Sequence, residues 1–349
     1  HSNFPTERRA FFDPPAVPGG TLLVHKQPHN IWRVDWQLEA EEDETQALQE
    51  ERMRAKIGLI LDMLGEQGDW ELEWWSIYKA YTLCLDDYRH GRVLFLGDAA
   101  HLVPIFGVRG LNSGLADAAN VGWKLAWVLK GRSPDTLLDS YSPERRGATL
   151  DVFANASKST AFMTPPTYGY KLLRDAALSL SLRNEFARAF LNPRQSTPYT
   201  YADSALTSHS HQEPRFNAGP GCGAPLINRR LRSGGYLLDH LGPAFSLLMF
   251  SDEALEQMTS RLGDVQKAIG AWAPLVTILL VSKSGIRPKG FDNVVSIGDA
   301  DGAVANAYGA ATAAVYLVRP DRHVCARWLA CDYAELAEAV SVAQGILVQ

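Results

Sequence analysis

Two short segments that lie close together in the sequence combine residue types suited to binding a small polar molecule. Gly97 and Asp98 follow an apolar run, and Gly110 stands directly before Leu111 and Asn112. A carboxylate at the end of a strand can accept hydrogen bonds from sugar-like hydroxyl groups, although aspartate there also caps turns and helices. Glycines let a planar ring approach the backbone, and the first N–H groups of a helix attract negatively charged ligand atoms.

That combination suits the pyrimidine edge of a flavin, because its N1 and C2 carbonyl carry negative charge when the ring is reduced or bears an oxygen adduct. The sequence also predicts the strand and the helix that surround these residues. The continuous apolar run Val93–Leu96 predicts a strand covered on both faces in a parallel sheet. Such a sheet binds ligands at the carboxyl ends of its strands. An apolar helix face, closed by Gly131, is predicted by the spacing of Leu111, Leu115, Ala118, Gly122, Leu125 and Leu129.

A second group of candidate residues lies upstream. The polar N-terminal stretch before Thr21 predicts no strand, residues 21–27 and 30–38 predict strands, and residues 45–64 predict a helix. Glu71–Leu85 predicts a long strand with aromatic side chains on both faces, of the kind that separates a core from a cavity. The candidate substrate-lining residues in these strands are Arg33, Asp35, Gln37, Trp75 and Tyr78.

The remainder of the chain predicts two further regions. Residues 134 to about 200 are mostly helical, with breaks at Thr164–Thr167 and Asn192–Pro198, and Thr207–Pro225 is a polar, glycine- and proline-rich linker. Beyond it, strands are predicted at 236–242, 244–251, 276–282 and in a hairpin turning at Pro320 and Asp321, with helices at 252–271 and 333–343. We therefore expect domains at 1–88, 89–206 and 207–349.

Composition narrows the classes of partner. The 349 residues carry a net charge of −5 without a long basic run, which argues against a nucleic-acid-binding protein. No apolar run approaches the length of a membrane span, so the expectation is a cytoplasmic protein acting on small molecules. The four cysteines have no metal-binding spacing, so no metal site is expected.

The segment Gly91–His101, "GRVLFLGDAAH", together with "P..G.RGLNSG..DA.N..WKLA.VL.G" and "LLDSY..ERR", resembles the second FAD motif of the flavin-dependent aromatic hydroxylases. The group is similar to para-hydroxybenzoate hydroxylase and phenol hydroxylase, and "HKQPHNIWRVDWQL" and "LEWWSIYKAY" are closest to members acting on 3-hydroxyphenylpropionate. The C-terminal part resembles the redox-inactive thioredoxin-like domain of the phenol hydroxylase branch.

This resemblance implies an α/β fold with a partial FAD/NAD(P)-binding domain of the glutathione-reductase type, a substrate-binding sheet and a thioredoxin-like domain. It implies FAD as cofactor, NAD(P)H as co-substrate, and hydroxylation of a phenol through a flavin C4a-hydroperoxide. Gly97 and Asp98 would hold the ribityl chain, and Arg109 would lie near the ring. The ring would otherwise be contacted by Pro104, Gly107, Gly110, Leu111 and Asn112.

Two departures from the family pattern bear on that assignment. Ile105, a further candidate at the substrate, stands where the family usually has proline, and Val108 stands where it has glycine or alanine. The N-terminal G-x-G-x-x-G unit that binds the ADP pyrophosphate has no counterpart here. Its formal match, Gly219, Gly221 and Ala224, lies in the polar linker between prolines. We therefore expect the C-terminal portion of a hydroxylase with an apolar seam, which self-association could cover.

The residues leave alternatives open. Tyr78 or Asp35 could help to deprotonate a phenol, but each also fits a structural role. His101 could act as an acid or base, but it better fits a side chain that fixes its loop by a hydrogen bond. The chain could be a non-catalytic or cofactor-deficient fragment that serves assembly. It could also be a flavin oxidoreductase that inserts no oxygen, which analysis of the product would distinguish from a hydroxylase.

Overall fold

The computed structural model describes residues 4–39, 41–104, 109–191, 198–310 and 313–346. These residues form two compact units. The first unit contains the described residues up to Tyr81, Pro104, and those from Ala154 to Leu191. The second unit contains residues 82–103, 109–153 and the described residues from Pro198 onward.

The regular elements of the described residues are numbered in chain order. The strands are β1 (Arg8–Phe12), β2 (Thr21–Lys26), β3 (Trp32–Trp36), β4 (Leu83–Cys84), β5 (Arg89–His90), β6 (Val93–Leu94), β7 (His101–Leu102), β8 (Phe245–Phe250), β9 (Val276–Ser282), β10 (Val294–Gly298), β11 (Val315–Val318) and β12 (Val324–Trp328). The helices are α1 (Glu44–Ala47), α2 (Glu50–Leu64), α3 (Gly110–Leu129), α4 (Tyr141–Met163), α5 (Tyr168–Ser181), α6 (Glu185–Leu191), α7 (Leu255–Ile269), α8 (Ala303–Ala307) and α9 (Tyr333–Ala343).

The first unit is built on the antiparallel sheet β1-β2-β3. The predicted alternation of β3 is confirmed, because Trp32, Val34 and Trp36 pack toward the core formed with Leu22 and Val24. Strand β1 corrects the expectation that the N-terminal stretch contains no strand. Its five residues pair with β2, and this tertiary pairing overrides the proline- and glycine-rich sequence around it.

The helices of the first unit follow the predicted pattern more closely. The helix predicted at 45–64 is confirmed as α1 and α2, and it ends at Gly65, whose φ of 71° is the left-handed conformation that glycine adopts easily. The break at Thr164–Thr167 is also confirmed. There α4 ends at Met163, and the Thr167 side chain accepts a hydrogen bond from the Tyr170 N–H at the start of α5.

The long strand predicted over Glu71–Leu85 is wrong. Residues 71–82 have no regular secondary structure, and only Leu83–Cys84 pairs, with His101–Leu102 of β7. No strand among the described residues supplies a hydrogen-bonding ladder for residues 71–82, so their aromatic content does not produce a strand. Trp74 and Tyr78 are largely exposed.

In the second unit, the strand predicted at Val93–Leu96 is shorter than expected and is not covered on both faces. Only Val93–Leu94 forms a strand, and it pairs antiparallel with the two residues of β5. Val93 is 54% exposed and Leu96 39% exposed. Because no parallel neighbour pairs with β6 within the described residues, the apolar run lacks the sheet that its sequence predicts.

Helix α3 has its predicted length and stop, since it ends at Leu129 and Gly131 has a φ of 65°. Its predicted apolar face, however, is not the buried face. Leu111, Leu115 and Leu129 are exposed, at 75%, 59% and 76%. The buried residues of α3 are Asp117, Asn120, Val121, Trp123, Lys124 and Trp127.

The C-terminal part of the second unit is a five-stranded sheet in the order β10-β9-β8-β11-β12. Strands β10, β9 and β8 are parallel, and β11 runs antiparallel to β8 and to β12. Alternate residues of β8 and β9 enter separate apolar cores, with Leu247 in one and Leu248 in the other. Helices α7 and α9 pack on the first side and α8 on the second.

Most of the predicted C-terminal elements are confirmed: β8, β9, the β11–β12 hairpin, α7 and α9. Two differ. Strand β10 was not predicted, and the strand predicted at 236–242 is instead a short 3-10 helix at Leu237–His240. The Tyr236 N–H donates to Asp239 Oδ2 at 2.7 Å, a local bond that favours the helical turn.

Candidate functional site

The turn after β6 places a carboxylate at an accessible position. Gly97–Ala99 forms a single 3-10 turn in which Gly97 has a φ of 56° and the Asp98 side chain is exposed. The turn lies close to α3, because a Cβ added to Gly114 would lie 3.3 Å from the Gly97 Cα. The two glycines therefore permit a close approach of turn and helix, and Asp98 stays available to hydroxyl groups of a ligand.

The start of α3 lies beside this turn. The first hydrogen bond into the helix runs from the Ser113 N–H to the Arg109 carbonyl, at 2.8 Å. A helix leaves its earliest N–H groups, here those from Gly110 onward, without carbonyl partners inside the helix. Leu111 and Asn112 are exposed, whereas Arg109 is buried. The arrangement gives an accessible helix N-terminus of the kind that binds anionic ligand atoms.

Asp117, about two turns into α3, is hydrogen-bonded to the Gly97–Ala99 turn on its buried side. Its Oδ2 accepts hydrogen bonds from the Gly97 N–H at 3.0 Å and from His101 Nε2 at 2.7 Å, and its Oδ1 accepts one from Arg145 Nε at 2.6 Å. Arg145 also donates to the Tyr201 hydroxyl, at 2.8 Å. We call Asp117, His101, Arg145 and Tyr201 the Asp117 brace.

The charge state of the brace follows from its contacts. Burial acts to raise the pKa of Asp117, but the hydrogen bond from His101 and the charge of Arg145 outweigh it and hold that pKa below its usual value. An ionised carboxylate can only accept hydrogen bonds, so His101 must carry a proton on Nε2. His101 Nδ1 is buried and has no hydrogen-bond partner within the described part of the chain.

A second buried cluster adjoins the brace. Glu144 receives hydrogen bonds from Lys124 Nζ at 2.7 Å, from Arg319 Nη1 at 2.6 Å and from Asn120 Nδ2 at 2.6 Å. Arg319 also pairs with Asp321 at 2.6 Å. Burial opposes ionisation of Glu144, but the charges of Arg319 and Lys124 prevail and its pKa is strongly lowered. This Glu144 cluster ties α3 and α4 to the β11–β12 hairpin.

The structure brings together only part of the predicted cofactor set. Gly97, Asp98, Gly110, Leu111 and Asn112 belong to the second unit, around the turn and the start of α3. Pro104 is buried and is grouped with the first unit. Gly107, like Ile105 of the substrate set, lies outside the described residues.

The predicted substrate-lining residues belong to the first unit. Arg33 and Asp35 pair on β3, with Arg33 Nε 2.8 Å from Asp35 Oδ2, and Gln37 accepts a hydrogen bond from Thr164 at 3.3 Å. Trp75 donates its indole N–H to the Leu48 carbonyl at 2.8 Å, and Tyr78 is 67% exposed. Trp75 and Tyr78 thus lie in an irregular segment rather than on the long strand predicted over Glu71–Leu85.

The brace was missed by sequence reasoning, which singled out only His101 and gave it a loop-fixing role. The available signal was a polar stripe on α3. Asp117, Asn120 and Lys124 recur at helical spacing on one face. Such a stripe normally predicts a solvated face, and nothing local shows that Arg145 and Glu144 of α4 will cover it.

The residues around the turn fit the ring and ribityl part of a flavin. Asp98 can accept from ribityl hydroxyls, and the N-terminus of α3 can meet an electron-rich ring edge. The left-handed Gly97 and the close Gly114 leave the backbone accessible. Among the described residues there is no group of three or more His, Cys, Asp or Glu side chains that could hold a metal ion. None of the described helices is long and apolar enough to cross a membrane.

Comparisons with known proteins agree with this chemistry. The family model described as FAD binding domain matches residues 15–156, and that described as HcaD C-terminal domain matches residues 225–343. The 3-(3-hydroxy-phenyl)propionate/3-hydroxycinnamic acid hydroxylase of Mycolicibacterium gilvum is 28% identical over 90% of this chain and 55% of its own length. That of Escherichia coli is 28% identical over 86% of this chain and 53% of its own.

Solved structures share the fold. The flavin-dependent monooxygenase PieE, in complex with FAD and substrate, matches with a TM-score of 0.69 and 22% identity, over 96% of this chain and 60% of its own. Aklavinone-11 hydroxylase, with FAD and aklavinone, gives 0.64 and 22% identity over 94% and 57%. The chain thus spans about half the length of the curated relatives that it matches. It has a mixed α/β fold and a FAD binding domain, so its cofactor is FAD, and it is similar to flavin-dependent aromatic hydroxylases.

Proposed function

We propose that this chain supplies the ribityl- and ring-binding part of the FAD site in an NAD(P)H-dependent hydroxylase of phenolic compounds. The observation that carries the proposal is the pairing of the exposed Asp98 turn with the accessible start of α3. FAD, reduced by NAD(P)H, would activate dioxygen as the source of the transferred oxygen atom when it is bound. The chain's own residues bind the cofactor, orient it and exclude water around it.

The proposed roles of the residues follow from their chemistry. Asp98 accepts hydrogen bonds from the ribityl hydroxyl groups. The N–H groups at Gly110 and Leu111 donate toward the pyrimidine edge of the ring, where negative charge develops during reduction. Arg109 and Asn112 remain candidates for the same ring environment, and Pro104 and Gly107 stay predictions from the sequence.

A phenolic substrate is proposed on the strength of the relatives, whose names specify hydroxyphenyl-propionate and hydroxycinnamate compounds. Arg33, Asp35 and Gln37 of β3 supply polar groups for binding it, and Trp75, Tyr78 and Ile105 are further candidates. Tyr78 or Asp35 would help to deprotonate the phenol. Deprotonation makes the ring a better nucleophile toward an electrophilic oxygen atom.

Two features support a larger site. Val93, Leu96, Leu111 and Leu115 are exposed apolar side chains on β6, in the segment after it and on α3. The relatives are about twice as long as the matched region. We propose that this surface contacts an ADP-binding part of the complete enzyme.

The order β10-β9-β8-β11-β12, with helices on both faces, supports a thioredoxin-like assignment for the domain predicted at residues 207–349.

The test is product analysis. The purified chain is incubated with FAD, NADH or NADPH, and 3-(3-hydroxyphenyl)propionate, and the products are identified by mass spectrometry. A product with one added oxygen atom supports the proposal. Substrate oxidation without added oxygen would instead favour a flavin oxidoreductase.

Two variants make this test specific for the Asp98 turn. Asp98→Ala should lower the rate by about tenfold through loss of a charge-assisted hydrogen bond. The exposed Asp69→Ala should leave the rate unchanged. Failure of the wild-type chain both to bind flavin and to turn over substrate would contradict the proposed function.

A further inference from the structure

We infer that Asp117 is a positioning residue for the cofactor: it fixes the Gly97–Asp98 turn against α3, and Arg145 and Tyr201 hold its carboxylate in place. The inference rests on the proposed function, because the turn matters to the reaction only if it binds FAD. Asp117 itself is fully buried, so it acts through the backbone of the turn and not by contact with a ligand.

The geometry of the carboxylate assigns each oxygen a distinct task. Oδ2 accepts the Gly97 N–H and His101 Nε2, which belong to the two ends of the segment that contains Asp98. Oδ1 accepts Arg145 Nε from α4. One side chain of α3 therefore fixes both ends of the turn, and an exposed Asp98 between them is held without contacts of its own to the brace.

Arg145 extends the same restraint to the first turn of α3. Its Nη2 donates to the Ser113 carbonyl at 3.3 Å, and its Nη1 donates to the Tyr201 hydroxyl. The guanidinium is planar and its donors are rigidly arranged, so these three bonds fix the orientation of Asp117 relative to the helix start. The turn and the helix N-terminus, the two parts proposed to bind the flavin, thus share one buried support.

The position of Tyr201 adds a link to the C-terminal sheet. The centroids of the Tyr201 and His323 rings are 4.4 Å apart. The Arg319 guanidinium carbon lies 5.1 Å from the Tyr201 ring centroid. Arg319 belongs to the Glu144 cluster. The Tyr201 ring therefore contacts residues of the β11–β12 hairpin, while its hydroxyl accepts the hydrogen bond from Arg145. Removal of the hydroxyl should loosen the brace without removing the Asp117 carboxylate.

The experiment compares Asp117→Asn with a matched buried aspartate. Asp299 is also buried, and it accepts the Val304 and Ala305 N–H groups at 3.0 and 2.9 Å at the start of α8. Asp299→Asn therefore alters a buried aspartate that accepts backbone N–H groups, without touching the turn. The readouts are hydrogen exchange of the Gly97 amide, the dissociation constant for FAD, and thermal unfolding as the measure of general destabilisation.

We expect Asp117→Asn to accelerate exchange of the Gly97 amide about tenfold and to raise the FAD dissociation constant by a similar factor. Tyr201→Phe should produce the same changes at a few-fold level. Asp299→Asn should change neither readout, even where it lowers the unfolding temperature as much as Asp117→Asn does.

An unchanged Gly97 amide in Asp117→Asn, or equal acceleration in the two Asp→Asn variants, would overturn the inference, since Asp117 would then be merely structural. Unchanged FAD affinity alongside faster exchange would overturn it too, because the turn would be positioned for something other than the cofactor. If the wild-type chain binds no FAD, the proposed function fails, and the Gly97 exchange rate still decides whether Asp117 holds the turn.

Discussion

The two faces of α3 depart from the usual pattern of a surface helix, because polar side chains are buried beside Val121, Trp123 and Trp127 while leucines on the other face are exposed. One face presents Leu111, Leu115 and Leu129, and these leucines are exposed. The opposite face carries Asp117, Asn120 and Lys124, and these polar residues are buried in hydrogen-bonded clusters. Periodicity located the helix correctly, but it assigned the buried side to the wrong face.

The burial of the polar face and the exposure of the apolar face of α3 each have a physical explanation. The polar face is buried because α4 and the β11–β12 hairpin provide an opposite charge or hydrogen-bonding group for each of its members, which offsets the cost of desolvation. The apolar face finds no covering element among the described residues. An exposed apolar stripe of this kind marks an interaction surface, consistent with the larger site proposed above.

The largest effect is expected from breaking the buried face. Glu144→Gln removes the carboxylate that pairs with both Lys124 and Arg319, so that Lys124 loses its carboxylate partner and Arg319 keeps only Asp321. We expect a loss of about 3–5 kcal/mol in the free energy of unfolding, measured by urea denaturation.

The matched control for Glu144 is Glu50→Gln, which removes an exposed ion pair with Arg54 and should cost under about 0.5 kcal/mol. Similar small losses in both variants would show that the buried cluster contributes little and that the two faces of α3 differ less than their burial indicates.

A smaller, pH-dependent effect is expected from Lys124. Burial is the main influence on this amine and lowers its pKa from 10.5 to about 8, against the raising effect of Glu144. Between about pH 8 and 10.5 the unfolded chain retains a proton that the folded chain has released. The contribution of Lys124 to the unfolding free energy therefore rises with pH in this window.

We expect the unfolding free energy of the wild type, relative to Lys124→Met, to increase by about 2 kcal/mol from pH 7.5 to 10. Denaturant titrations of both proteins at each pH provide the measurement, and the variant subtracts the titration of other groups. A relative decrease over this range would contradict the assignment of a desolvated lysine.

The smallest effect is expected on the exposed face. Leu115→Gln replaces a side chain that is 59% exposed and should change the unfolding free energy of this chain by less than about 0.5 kcal/mol. A loss of several kcal/mol, measured in the same way, would mean that Leu115 is covered in solution and would remove the contrast between the two faces.

The sequence predicted those elements whose signals are local. The spacing of apolar residues and Gly131 predicted the extent of helix α3. The apolar runs of β8 and β9 predicted strands that are covered on both faces of the sheet. The run Val93–Leu96 carries the same signal, but it pairs with only two residues. Burial on both faces depends on neighbouring strands, which no window of sequence contains. Strand β10 was missed for a related reason, since its short "VVSIG" segment is defined by pairing with β9.

In the candidate site, the sequence predicted the residues proposed to bind the ligand but not the buried residues that support them. The Gly97–Asp98 turn and the start of α3 were identifiable because their residue types perform recognisable tasks within a few positions of each other. The support was not, because Asp117, Arg145 and Tyr201 are widely separated in sequence and meet only through tertiary packing. A buried ionic network is invisible to periodicity, which treats charged residues as solvated.

The most direct test of the central claim is a titration of the purified chain with FAD and, separately, with FMN, followed by quenching of flavin fluorescence. If the chain supplies the ribityl- and ring-binding part of the site, the two dissociation constants should agree within about threefold. Asp98→Ala should weaken both about tenfold, and Asp69→Ala should weaken neither. Absence of saturable binding by either flavin, or binding that Asp98→Ala leaves unchanged, would contradict the account.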